Sequence, residues 1–284
     1  MEVCFDITNL NRAKADWKRQ EQVVGFVPTM GALHDGHASL VEKAKLECDR
    51  TVTSIFVNPT QFNVKEDFEN YPITLERDLK MLEELGVDAV FVPQVEEMYG
   101  PNLKVASVNY GNLTKLFEGA LRPGHFDGVV AIVRKLLATV DPDRAYFGEK
   151  DLQQLGVLRR LGREEFPGIA IIGCSLIRDT SGLALSSRNV RLDDESRLKA
   201  LRLSKGIHTI GNSRLRGDEL TEAMEAMTAQ LNGIPGMEIE YLDVVDANSF
   251  EPWRQEVDGD EPRVIIAAFV GGVRLIDNCP VACS

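Results

Sequence analysis

Apolar residues recur along this chain in two rhythms, short unbroken runs and longer stretches with helical spacing. Val23-Val24-Gly25-Phe26-Val27 is a run of the first kind and predicts a buried strand. Residues 38–46, with Leu40, Val41, Ala44 and Leu46 on one side, predict a helix. The alternation continues with a strand at 51–57, a helix at 75–85 striped by Leu75, Leu79, Leu82 and Leu85, and a strand at 88–92 closed by Pro93. Residues 105–108 read as a short strand, 113–117 as a helix, and 129–139 as an amphipathic helix through Val130, Val133, Leu136 and Leu137. Past Asp141-Pro142 come a strand at 144–147, a helix carrying Leu152, Leu155 and Leu158, and a strand at 169–174. Strands alternating with helices argue for a parallel sheet with right-handed crossovers.

From about Asp193 the order changes to two helices, 196–210 and 218–231, followed by strands at 237–244, 263–270 and 273–276, the last two joined by Gly271-Gly272. The expected protein is thus α/β, a Rossmann-like parallel sheet with helices on both faces over residues 1–184. A smaller α+β C-terminal domain, 185–284, is expected to close over the site, placing it in the cleft between domains. No internal repeat or low-complexity linker interrupts the pattern.

Composition changes this picture little. With 284 residues, 44% hydrophobic and 27% charged, the chain matches an ordinary soluble globular protein. The start lacks a basic region followed by an apolar core, and no apolar run approaches bilayer length. Five scattered cysteines without a Cys-x-x-Cys pair fit reduced thiols, hence a cytoplasmic location. Cys279 and Cys283 read as a plain C-terminal segment, with pairing or metal binding the weaker alternative. A formal net charge of −12 argues against a nucleic-acid partner and requires anionic substrates to be held by a few local cations.

The candidates for that task follow the ends of strands. Pro28-Thr29-Met30-Gly31-Ala32-Leu33-His34-Asp35-Gly36-His37 lies between a strand and a helix, where first-turn backbone N–H groups and the helix dipole suit phosphate. His34 and His37 flank Gly36, which has no side chain to block a ligand. A zinc site would need further ligands, and the chain's other two histidines, His125 and His208, stand at no ligand spacing from this pair. Asn58 and Gln61 follow the next strand. Arg122 and His125 sit in the glycine-rich loop 118–128, and Gly148-Glu149-Lys150-Asp151 follows a later strand. Lys150 there can meet phosphate as a mobile point charge. Of Gln153 and Gln154, one faces the pocket. Two hydroxyls, a guanidinium and an amide in Ser186-Ser187-Arg188-Asn189 form an anion-binding cluster.

The loop Pro-Thr-Met-Gly-Ala-Leu-His-x-Gly-His (28–37) resembles the His-x-Gly-His signature of the nucleotidylyltransferase superfamily, and its wording resembles the pantothenate synthetase family. The segment around Arg122-Pro123 and His125-Phe126 is similar to that family's, and the Ser186 to Asn189 loop looks like its counterpart of the Lys-Met-Ser-Lys-Ser loop, with Arg188 in place of lysine. The likeness covers nearly the whole chain, most strongly residues 27–191.

It implies ATP-dependent ligation of (R)-pantoate and β-alanine through pantoyl adenylate, with Mg²⁺ and a homodimer. His34, His37, Lys150 and Arg188 would be catalytic. ATP would also meet residues 28–37 and 148–151, Ile177, Leu185, Ser186 and Ser187. Gln61, Gln154 (the family's choice over Gln153), Met30, Asn58, Phe62, Tyr71, Arg122 and His125 would bind pantoate and β-alanine. The resemblance leaves the Mg²⁺ ligands open. Rival readings are a nucleotidylyltransferase that stops after passing a nucleotide to a phosphorylated acceptor, and a nucleotide sensor without turnover.

Overall fold

The apolar runs of the first part become β1 (Glu2–Cys4), β2 (Val24–Thr29), β3 (Arg50–Ile55), β4 (Ala89–Phe91), β5 (Arg144–Gly148) and β6 (Ala170–Cys174), in a computed structural model that describes residues 1–101, 103–255 and 259–282. All pair in parallel, in the order β1-β4-β3-β2-β5-β6. The helices between them are α1 (Ile7–Arg19), α2 (Asp35–Glu47), α3 (Lys65–Glu69), α4 (Leu75–Glu84), α5 (Val95–Tyr99), α6 (Asn112–Lys115), α7 (Glu118–Leu121), α8 (His125–Val140) and α9 (Leu152–Glu165). From β2 the chain steps outward through β3 to β4, then returns to β5 on the other side of β2. The order therefore reverses between β2 and β5, and open α/β sheets bind ligands outside the strand ends at such a reversal.

Two compact units share the chain, residues 1–149 with 157–175, and residues 150–156 with 176–284. The observed division thus falls after Ser175 rather than at the expected 184, and the opening turn of α9 belongs to the second unit. In the first unit Val27, Val41, Ala44, Leu82, Val90 and Tyr146 form one core cluster, with Leu75, Leu79 and Leu85 packed against it from the predicted α4 stripe. Phe26, central in the sheet, pairs with Val52 on one side and Ala145 on the other.

The second unit carries α10 (Asp194–Gly211), α11 (Gly217–Asn232), and the antiparallel strands β7 (Met237–Asp246), β8 (Pro262–Val270) and β9 (Val273–Pro280), in the order β7-β8-β9. Leu203, Ile207, Leu220, Val264, Ile266 and Val273 bury the helices against this sheet. Cys279 lies inside β9 and its thiol donates to the Ile207 carbonyl at 3.2 Å; burial pushes that thiol up to about 12. It is a core residue rather than part of a plain terminal segment, while Cys283 lies outside the described residues. Among the described residues no helix is long and apolar enough to cross a membrane.

Two expectations for the middle of the chain fail. Residues 105–108 form no strand, because a side chain satisfies their backbone: the Val108 N–H donates to Asp127 Oδ1 at 2.8 Å, and Ser107 Oγ donates to the same carboxylate. The loop expected at 118–128 is largely helical, α7 and the first turn of α8, separated by a left-handed Gly124 with φ of 81°. The edge strand β1 and helix α1 have no counterpart among the predicted elements. β1 is three residues long, too short to show a period.

Candidate active site

The β2–α2 junction is held from within. Gly31 and Ala32 are both left-handed, with φ of 80° and 50°, a costly conformation for alanine that persists only where its surroundings over-determine it. Asp78, 1% exposed on α4, supplies that constraint. Its carboxylate accepts the Ala32 and Leu33 N–H groups, each at 2.9 Å, and the Thr74 hydroxyl at 3.1 Å. Thr29 Oγ1 accepts from Gly31 N–H and donates to the Ser54 carbonyl.

The two histidines close the junction reciprocally. His34 caps α2, its Nδ1 accepting the Gly36 N–H at 3.1 Å, while His37 Nδ1 accepts the His34 N–H at 3.3 Å; the rings lie 4.1 Å apart. A ring nitrogen that accepts a hydrogen bond carries no proton, so in both imidazoles the proton sits on Nε2. The result corrects one expectation. In the first turn of α2 the Gly36 and His37 N–H groups are bonded to His34, and before it those of Gly31, Ala32, Leu33 and His34 are bonded within the protein, so the junction offers imidazole donors and the helix dipole more than free backbone N–H groups.

Beyond β3, Asn58 is 1% exposed and fully engaged. Its amide donates to Gly128 O and Gln61 Oε1, both at 3.1 Å, and its carbonyl accepts from Tyr99 at 2.7 Å and Thr60 at 3.0 Å. Burial pushes the Tyr99 phenol up, keeping it a donor. The geometry makes Asn58 the support of Gln61. Gln61 in turn points Nε2 at Met30 Sδ, 2.8 Å away. A thioether is a weak acceptor, so this amide donor gains from any ligand oxygen that replaces it.

His125 is 6% exposed and takes the opposite tautomer to the junction pair. Arg122 can only donate, so Nε2 accepts from it at 3.1 Å and Nδ1–H donates to the Gln61 carbonyl at 2.8 Å. Arg122 also pairs with the buried Glu118 at 3.3 Å. Phe62 meets Phe68 and Tyr71 edge-on at 5.3 and 5.7 Å. Met30, Asn58, Gln61, Phe62, Tyr71, Arg122 and His125 all belong to the first unit.

Gly148 and Glu149 also belong to the first unit, and Lys150, Asp151, Gln154, Ile177 and Leu185 to Arg188 belong to the second. Ser186 opens a 3₁₀ turn over Ser187–Arg191, its Oγ accepting the Arg188 N–H at 3.3 Å, which leaves the hydroxyl proton for an anion. Leu185 N–H donates to Ile177 O, joining the two flanks of the loop. Asp179 anchors the turn before it: burial pushes its carboxyl up, but hydrogen bonds from Ser181, Leu183 and Arg197 outweigh that and hold it below the usual carboxylate range. Asn189 departs from the expected anion cluster, because its buried amide donates to Ala184 O at 2.9 Å. Lys150 follows β5, 4.0 Å from Asp151. Gln153 is 4% exposed and Gln154 is half-buried.

Asp78, Tyr99 and Glu118 are the supporting residues that sequence reasoning missed. Only Asp78 left a trace, sitting three residues after Leu75 and four before Leu82, on the apolar face of a helix where a carboxylate needs a partner.

The family model described as pantoate-beta-alanine ligase matches residues 2–280. The pantothenate synthetase of Cytophaga hutchinsonii is 46% identical over 282 residues, 96% of this chain and 98% of that one. That of Thermosipho africanus is 45% identical over 280 residues, 98% and 99% of the two chains. The crystal structure of the Thermus thermophilus pantothenate synthetase superposes with a TM-score of 0.89 at 41% identity over 100% of both chains. The pantoate-beta-alanine ligase of Francisella tularensis, complexed with beta-gamma ATP and beta-alanine, gives 0.83 at 35% identity over 99% and 97%.

Proposed function

This chain belongs to the pantoate-beta-alanine ligase family, and from that premise we propose how its residues join pantoate to β-alanine with ATP. Pantoate's carboxylate attacks the α-phosphorus, the bond to the bridging oxygen breaks, and diphosphate leaves. The amine of β-alanine then attacks the acyl carbon of pantoyl adenylate, losing a proton as AMP departs and the amide forms.

The observation that carries this reading is the reciprocal histidine cap. It orients two neutral imidazoles with protons on Nε2, suited to charge that builds on phosphoryl oxygens in the transition state. Donors already held in place do not have to reorganise when that charge appears. His34 and His37 take this role. Lys150, Ser186, Ser187 and Arg188 grip the phosphates, the last as a bidentate fork. ATP also lies along residues 28–37 and 148–151, with Ile177 and Leu185 beside it.

Gln61 and Gln154 hold pantoate's hydroxyls and carboxylate, Gln61 exchanging its thioether partner for a ligand oxygen. Met30, Phe62 and Tyr71 wall its gem-dimethyl group, while Asn58, His125 and Arg122 fix Gln61. Among the described residues no three His, Cys, Asp or Glu side chains cluster to hold a metal. Mg²⁺ prefers phosphate and water to a protein cage, so this chain suits an ion that arrives on ATP, and its chemistry there is neutralisation of phosphate charge. We place the enzyme in the cytoplasm as a homodimer, which sedimentation tests.

Diphosphate release from ATP with pantoate alone, followed by AMP and pantothenate once β-alanine is added, is the expected result. Intact ATP in a folded protein that binds it would favour a sensor, and nucleotide transfer only to a phosphorylated acceptor would favour the other rival.

Gly128 provides a further check. A Cβ built there would lie 2.2 Å from Thr60 O and 2.7 Å from Gln61 N, and backbone cannot yield as a side-chain tip does. Gly128→Ala is expected to destabilise by about 1–3 kcal/mol through overpacking and to raise the KM for pantoate by displacing Gln61. Thermal melting with unchanged midpoint and unchanged KM would contradict this placement.

A further inference from the structure

Adjacent residues on β9 are a buried carboxylate and a buried amide, Asp277 at 6% and Asn278 at 3% exposure. Such groups are rare in a strand core unless bonded. Asp277 takes both terminal nitrogens of Arg178, at 2.7 and 2.9 Å. Arg178 NH1 also donates to Gly182 O and Ser204 Oγ, and Arg178 faces Ala184 across an antiparallel bridge. This network holds the base of the segment that leads into Ser186, Ser187 and Arg188.

Asn278 extends the network to another loop. Its Nδ2 donates to the Lys150 carbonyl at 3.1 Å, and its Oδ1 accepts from Arg263 at 2.6 Å. Its backbone N–H donates to Asp277 Oδ1 at 2.7 Å, and its carbonyl accepts from Arg178 at 3.1 Å. Two consecutive residues of β9 thus hold the serine-arginine segment and the main chain of Lys150.

We propose that Asn278 is a positioning residue which, through its hydrogen bond to the Lys150 carbonyl, sets that lysine in register with Ser186, Ser187 and Arg188 for binding the phosphates of ATP. The inference rests on the phosphate-gripping role of Lys150 given above. A lysine ammonium rides on a flexible four-carbon stem, so its reach is defined only as well as its backbone is. Anchoring that backbone to the strand that also anchors the serine-arginine segment presents ATP with one preset array.

Asn278→Asp tests this with little change in shape. The aspartate still accepts from Arg263, but it places an oxygen where the donor to Lys150 was. In pantoate-dependent diphosphate release, kcat/KM for ATP is expected to fall roughly 10- to 100-fold, the scale of a small misplacement of a binding group. The KM for pantoate should stay within about twofold, and N278D added to Lys150→Ala should cost nothing further, since coupled residues are not additive. Asn278→Ala, measured beside it, removes both the donor to Lys150 and the acceptor from Arg263 without adding charge, so if N278D does not fold the double variant N278A with K150A decides: no further loss supports the proposal and an additive loss overturns it.

A purely structural role through Arg263 would be rescued in N278D and lost in N278A. That pattern, or losses that add in the double variant, overturns the proposal. A K150A variant with unchanged kinetics would instead overturn the role of Lys150 on which it rests.

Discussion

Replacing His37 with alanine is expected to slow pantoate-dependent diphosphate release by about 10²- to 10³-fold, the usual cost of deleting one donor aimed at developing charge. The loss should lie mainly in kcat, because the imidazole donor gains most from charge that exists only in the transition state. The fold should survive. His37 Nδ1 accepts one N–H, that of His34, and a lost helix cap of this sort costs about 1 kcal/mol. Single-turnover diphosphate release with a thermal melt on the same sample separates the effects. A rate within a few-fold of the parent, in folded protein, would remove His37 from the chemistry.

Asp78→Ala is expected to combine two losses. The half-buried Ala32 N–H and the buried Leu33 N–H lose their acceptors, and a buried donor left unpaired costs about 1–3 kcal/mol, less where water can reach it. Destabilisation of about 1–3 kcal/mol follows from Leu33, with a smaller contribution from Ala32. The left-handed turn at Gly31 and Ala32 also loses what constrains it, and His34, two residues on, then caps α2 from a backbone that is no longer held. Pantoate-dependent diphosphate release should therefore fall even at temperatures where the variant remains folded. Urea unfolding gives the stability and diphosphate release the rate. An unchanged denaturation midpoint with an unchanged rate would show that the junction holds itself. Asp78→Asn, which keeps one carbonyl acceptor, should lie between the parent and the alanine variant in both measurements.

How much of this was legible in the chain depends on the kind of interaction. The strands β2, β3, β5 and β6 and the helices α2, α4 and α9 follow the apolar runs and stripes closely, because burial is averaged over a whole element and leaves a periodic record. The histidine pair was legible too, since His34 and His37 lie three apart at a strand-to-helix junction and their mutual capping needs nothing distant. Segment 105–108 misled for the opposite reason: its apolar residues resemble a strand, but the Asp127 carboxylate, 19 residues on, accepts the Val108 N–H in place of a neighbouring strand.

The sequence by itself thus determined an α/β protein with a second smaller unit, the order of its loops and the residue types those loops carry. Tertiary structure alone decided how those side chains are used. The backbone donors of the first loop are spent on Asp78, 46 residues from Ala32, and the Lys150 carbonyl is spent on Asn278, 128 residues away. Asn58 supports Gln61 while also bonding Tyr99 and Gly128. A hydrogen bond joins two particular atoms within about 3 Å and depends strongly on their alignment. No period along the chain records which distant residue will supply the partner.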